Sequence, residues 1–113
     1  MPLSSSIEIS AWAKERVLIS RKLGDEYKNL VKGLGAMIIQ NGLLATLLFL
    51  KAKGKDHHNA VLEDLNAFFK IKGLSVNIND PVFEDKDYLK TTSMVLEMNK
   101  WLRRYADILI KAE

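Results

Sequence analysis

The chain has 113 residues, 48% apolar and 27% charged, and its 17 lysines and arginines against 14 acids give a formal charge of +3 and a calculated pI near 9.2. That size and apolar content fit one domain with its own core over residues 1–113 and exclude a disordered chain. The absence of cysteine excludes a disulfide framework, a thiolate metal site and a cysteine nucleophile, while the small basic excess is a mild bias toward polyanions.

The first residues, MPLSSSIE, lack both the charged region and the apolar core of a signal peptide, so a cytoplasmic protein is expected. Pro2 to Ser6 is a polar start in which Ser6 is placed to cap a helix from about Ile7 to Leu23. Its apolar arc is Ile9, Trp12, Ala13, Val17 and Ile19; Ile7, Ala11 and Leu18 form a second strip opposite, read as ordinary exposed apolar residues, with a partner surface as the alternative. Gly24 and Asp25 close this helix and begin another, where Tyr27, Leu30, Val31 and Leu34 recur at helical spacing up to an expected end near Gly33 and Gly35.

From Leu34 to Leu50 nearly every residue is apolar, with Gln40, Asn41 and Thr46 interrupting, and a helix apolar all round is usually buried. Leu34, Ile38, Ala45 and Leu48 fall on one stripe and Ile39, Leu43, Leu47 and Leu50 on another, both needing partners. The run is shorter than the roughly 20 residues of a membrane span and carries polar residues and glycines, so no membrane is implied. Asn41-Gly42 suits a backbone at positive φ and can divide the run in two; a structural turn is favoured there over close approach of a partner or nucleic acid. Lys51, Lys53 and Lys55 follow directly, with Gly54 among them.

Asp56 is a plausible cap for a helix to about Lys72 with Val61, Leu65, Phe68 and Phe69 inward, closed by Lys70, Lys72 and Gly73. Leu74 to Asn79 alternates apolar and polar, but a lone strand has nothing to pair with, so a loop is expected, then at most a turn at Asp80-Pro81. The last helix runs from about Asp85 to Lys111, with Tyr88, Val95, Asn99, Leu102, Ala106 and Leu109 inward and Ser93, Glu97, Lys100, Arg104, Asp107 and Lys111 opposite. The sum is an all-α bundle of about five helices around a buried central helix.

Catalytic constellations are absent. Adjacent helix residues such as His57 and His58 diverge too far to share a metal and are read as a solvated first turn, while Glu84, Asp85 and Asp87 suit the positive end of a helix dipole. No Walker loop and no G-x-S-x-G elbow occurs, so no enzyme activity, metal or cofactor is expected. The candidate phosphate contacts are Lys51, Lys53 and Lys55; Arg16, Arg21 and Lys22, near Lys14; and Lys100, Arg103 and Arg104 around Trp101, itself read as core before stacking platform.

Two tracts carry a family resemblance. Met37-Ile38-Ile39-Gln40-Asn41-Gly42-Leu43, leading through Thr46-Leu47-Leu48-Phe49-Leu50-Lys51 to Lys53, is similar to an I-x-x-N-G-L turn followed by T-L-x-F-L-x-x-K. Nearer the C-terminus, Tyr88 and Thr91-Thr92 precede Trp101-Leu102-Arg103-Arg104-Tyr105-Ala106, similar to a closing W-L-R/K-R-x-A. In that order they resemble the small-subunit family of the type III-B CRISPR effector, the Cmr complex, from roughly Tyr27 to Ile110. The resemblance implies a non-catalytic role in antiviral defence, with further copies and other Cmr subunits as partners. Copies would stack in a filament along the guide RNA and target RNA duplex and contact its backbone, and the isolated chain would be monomeric or weakly self-associating. The alternatives are the small subunit of a type III-A effector, a helical adaptor without nucleic-acid contact, and a helical enzyme or metal protein.

Overall fold

The computed structural model describes residues 6–111, the side chain of Asp85 excepted, and the polar start from Pro2 to Ser5 lies outside them. Five α-helices follow one another: α1 (Ser6–Ser20), α2 (Asp25–Asn41), α3 (Leu43–Lys53), α4 (Asp56–Ile71) and α5 (Asp85–Leu109). A short 3-10 turn, Arg21–Leu23, joins α1 to α2, and the described residues hold no strand.

Contacts between sequence-distant residues fix the directions. Lys28 reaches the Ile110 carbonyl, Lys32 pairs with Asp107 at 3.4 Å and Gly42 abuts Tyr88, so α2 and α5 are antiparallel. Trp12 lies 5.5 Å from Phe68 between ring centroids and Arg16 meets Asp64, so α1 and α4 are antiparallel as well. Glu26 near the start of α2 meets His57 near the start of α4, which leaves α3 to carry the chain back from Gly42 to that end. The helices thus alternate in direction, and α1, α3 and α5 finish at the end of the bundle where α2 and α4 begin.

The core is built from one face of each helix: Ala13 and Val17 of α1, Tyr27, Val31, Leu34 and Ile38 of α2, Leu43, Leu47 and Leu50 of α3, Val61, Leu65, Phe68 and Phe69 of α4, and Val95, Met98, Leu102 and Ala106 of α5. Burying each large side chain of this kind contributes about 1.5–3 kcal/mol, which is what holds a bundle of short helices together. The segment between α4 and α5 is irregular, with Leu74, Val76 and Ile78 half-buried against the core and a turn from Asn77 to Asp80.

Several boundaries and faces differ from expectation. The second helix does not stop near Gly33 and Gly35 but continues to Asn41. An internal glycine costs only about 1 kcal/mol relative to alanine, and the packing of Leu34 and Ile38 outweighs it. Gly35 also admits α5, since a Cβ there would lie 3.3 Å from the Asn99 amide. The apolar run is buried on one side only: Leu34, Ile38, Leu43, Leu47 and Leu50 face inward, whereas Ile39, Ala45, Leu48 and Phe49 face out. The turn at Gly42 re-phases the helix after it, so stripes drawn straight through the run do not survive. Ile19, expected inward, is exposed, because it stands about 200° around α1 from the fully buried Val17. Lys55, not Asp56, precedes α4, and α5 ends at Leu109.

Asn41-Gly42 is the turn the sequence indicated. Gly42 has φ 89°, a region open to glycine; its N–H donates to the Ile38 carbonyl to end α2, and its carbonyl accepts from the Thr46 N–H and hydroxyl to start α3. The Tyr88 hydroxyl accepts the Leu44 N–H at 2.9 Å, satisfying one of the otherwise unpaired donors of the first turn of α3.

Candidate nucleic-acid interface

Helix polarity decides where the charges go. Cations are favourable at helix C-termini and acids at N-termini. Alternating helices place three C-termini at one end of this bundle, and that end gathers Arg21 and Lys22 after α1, Lys51, Lys53 and Lys55 around the end of α3, and Lys111 after α5. Asp25, Glu26 and Asp56, in the first turns of α2 and α4, lie among them. Residues separated by most of the chain thereby share one basic rim.

The candidate cations fall into two groups by what they touch. Arg16 donates through Nε to Asp64 at 2.9 Å, with its side chain only 19% exposed. Lys51 donates to the Asn79 side chain at 2.6 Å, and Lys53 lies 5.6 Å from the centre of the Phe49 ring. Lys100 pairs with Glu97 at 3.0 Å and, with Arg104, covers the ring of Trp101, which packs against the core. By contrast, Arg21, Lys22, Lys55 and Arg103 are exposed, and their side chains have no ion-pair, ring or hydrogen-bond partner among the described residues. Charge without an internal partner is free to meet an external anion.

Asp64, which no sequence motif marks, is the most consequential polar residue of the interior. Its side chain is fully buried between Arg16 on α1 and Tyr27 on α2, whose hydroxyl donates to it at 2.6 Å. Burial pushes its carboxyl up to about 6 against the lowering pull of the Tyr27 and Arg16 hydrogen bonds. Burial, with the Asp64 carboxylate beside it, also raises the Tyr27 phenol. The signal was available: Asp64 shares the inward face of Val61, Leu65 and Phe68, where a lone acid requires a partner.

His58 is likewise not part of a solvated turn. It is buried with Phe49 edge-on at 5.9 Å, and burial lowers the pKa of its imidazole. The described residues hold no group of three or more side chains suited to a metal ion. Glu84 and Asp87 are exposed at the start of α5, Glu84 beside Lys86 at 3.5 Å. None of the described helices is long and apolar enough to cross a membrane.

The family profile described as CRISPR-associated protein (Cas_Cmr5) matches residues 8–109. A curated relative from Thermotoga maritima, "CRISPR system Cmr subunit Cmr5", is 37% identical over 96% of this chain and 86% of its own length. A protein of the same description from Thermus thermophilus is 28% identical over 89% of this chain and 90% of its own. The crystal structure of a CRISPR-associated Cmr5 family protein from Thermus thermophilus superposes with a TM-score of 0.77 at 26% identity, covering 96% of this chain and all of the other.

Proposed function

The chain belongs to the CRISPR-associated Cmr5 family, the small subunits of the type III-B Cmr complex, and from that membership we propose that it is a non-catalytic subunit that stacks with further copies and lines the RNA path. It acts in the cytoplasm beside the other Cmr subunits, and its cations contact the backbone of the guide and target RNA. Cleavage is left to other subunits. The family match favours this assembly over the type III-A effector. The observation that carries the RNA contact is the basic rim, where cations from three helix ends converge and several have side chains without a partner among the described residues. Phosphate contacts are sequence-independent and release counterions, so a non-catalytic scaffold gains from such a rim whatever the guide sequence.

A salt titration of target-RNA binding by effector reconstituted with wild-type subunit or with Lys51, Lys53 and Lys55 all replaced by glutamate tests this reading. The variant is expected to bind more weakly with a shallower salt dependence. Equal affinities and slopes at equal subunit incorporation would reduce these three lysines to a solvated helix end.

A further inference from the structure

Between the turn that joins α1 to α2 and the end of α5 lies an open cleft of about 490 Å³, lined by Arg21, Lys22, Gly24, Asp25, Leu109, Ile110 and Lys111. Two observations distinguish it from the rest of the basic rim. Its three lining cations are exposed and their side chains have no internal partner among the described residues, although they come from opposite ends of the chain. The α5 side of the cleft, which carries Lys111, is held in place, because Lys28 donates to the Ile110 carbonyl at 3.0 Å, anchoring the end of α5 to α2.

We propose that this cleft is a phosphate seat for the target-RNA backbone, with Arg21, Lys22 and Lys111 contacting one stretch of it. The proposal rests on the RNA-contact reading above and names the surface that makes the contact. Three unpaired cations in one concavity repel each other in the free protein, and an anion removes that repulsion on binding. The planar fork of Arg21 suits two phosphate oxygens, and the lysines serve as point charges. Asp25 opposes the anion, but it is a single carboxylate at the positive end of α2 facing three cations. A protein partner fits less well: docking energy concentrates in buried aromatic or apolar anchors, no aromatic residue lines this cleft, and its two apolar residues, Leu109 and Ile110, already pack against the chain's own core.

The test replaces Arg21, Lys22 and Lys111 together with glutamine and measures target-RNA binding by the reconstituted effector as a function of salt. Removing three phosphate contacts is expected to make the log–log salt slope shallower by about 2–3. The thermal midpoint of the isolated variant should not fall, since it loses repulsion and no bond. A companion with Arg21→Lys, Lys22→Arg and Lys111→Arg should keep the wild-type slope. In the isolated, nitrogen-15-labelled chain titrated with decauridylate at low salt, the Gly24 amide should shift while those of Gly33 and Gly73 stay in place. An unchanged slope with the glutamine variant, where the Lys51, Lys53 and Lys55 glutamate variant does flatten it, overturns the cleft and leaves the RNA reading standing. Unchanged slopes in both overturn both. Loss of subunit incorporation at an unchanged slope overturns the proposal in favour of a protein contact.

Discussion

Arg16 and Arg21 stand close together in sequence, yet they sit in opposite regimes. Arg16 is drawn inward to Asp64, a buried acid that also receives the Tyr27 hydroxyl, so one carboxylate ties α1, α2 and α4 together. Arg21, past the end of α1, has an exposed side chain with no partner among the described residues. Arg16, Tyr27 and Asp64 satisfy one another, and removing one leaves another unsatisfied at a cost of kilocalories. Removing the charge of Arg21 leaves no group of the described residues without its partner. The residue type says little about which regime applies; the partner decides. Interior substitutions should therefore lose stability first, and rim substitutions should lose RNA and keep the fold.

The largest expected effect is at Asp64. Asp64→Ala leaves the Tyr27 hydroxyl and the Arg16 guanidinium without their acceptor, and breaking a buried pair in this way costs about 3 kcal/mol, softened because Arg16 still reaches solvent. Urea unfolding at pH 7 measures it. A loss no larger than that of a surface substitution would show that the interior and the rim do not differ as argued.

The pH dependence sharpens the same contrast. Because the carboxyl of Asp64 titrates near 6 when folded and near 3.8 otherwise, the folded state holds the proton more tightly. The resulting stabilisation is complete below pH 4 and is lost as pH rises through 6. A shift of this size corresponds to an effect on the order of 2–3 kcal/mol. Unfolding free energies of wild type and Asp64→Asn from pH 4 to pH 7 should therefore converge or cross in that window as the wild-type advantage fades. A wild-type advantage that grows with pH would mean that the ion pair with Arg16 outweighs burial.

Gly42 is an interior position of a different kind, held by backbone conformation and not by charge. Gly42→Val puts a β-branched residue at φ 89° with its Cβ 3.0 Å from the Tyr88 hydroxyl, which must then give up the Leu44 N–H or shift. Strain and overpacking together cost about 2 kcal/mol. A fall in thermal midpoint with unchanged RNA binding per folded subunit is expected. A neutral result would place the α2–α3 turn among the tolerant surface features.

The helices and the Asn41-Gly42 turn were legible because periodicity and turn chemistry are local. Val61, Leu65, Phe68 and Phe69 lie where helical spacing put them, and so do Val95, Leu102 and Ala106. Glycine as a stop signal misled at Gly33 and Gly35, since whether a helix survives glycine depends on packing with α5, which no local window contains. Asp64 was half legible: its place on an inward face follows from spacing, while its partners on α1 and α2 follow only from the fold. The convergence of Arg21 and Lys22 with Lys111 was not legible at all, because it depends on the directions of α1 and α5. Nearby charges in sequence were weighed as clusters, whereas the bundle assembles its rim by helix ends.

The smallest effect on stability is expected for Lys51, Lys53 and Lys55 replaced together by glutamate. Lys51 and Lys53 occupy the last turn of α3, where a cation interacts favourably with the helix dipole, so each reversal there costs about 0.3–1 kcal/mol. Lys55 stands immediately before the first turn of α4, where the sign inverts and glutamate gains a similar amount. The bond from Lys51 to Asn79 is exposed, so water replaces it at little cost. Replacing the Lys53 ammonium beside the Phe49 ring loses a contact worth about 0.5 kcal/mol at an exposed site. These terms leave a net loss of about 1 kcal/mol, against roughly 3 kcal/mol for the single change at Asp64. Urea unfolding of the triple variant beside Asp64→Ala gives the ratio directly. If three reversed charges at the rim cost as much as one methyl in place of a buried carboxylate, the lysines are part of the architecture, and a loss of RNA binding on changing them would report a damaged fold instead of a lost contact.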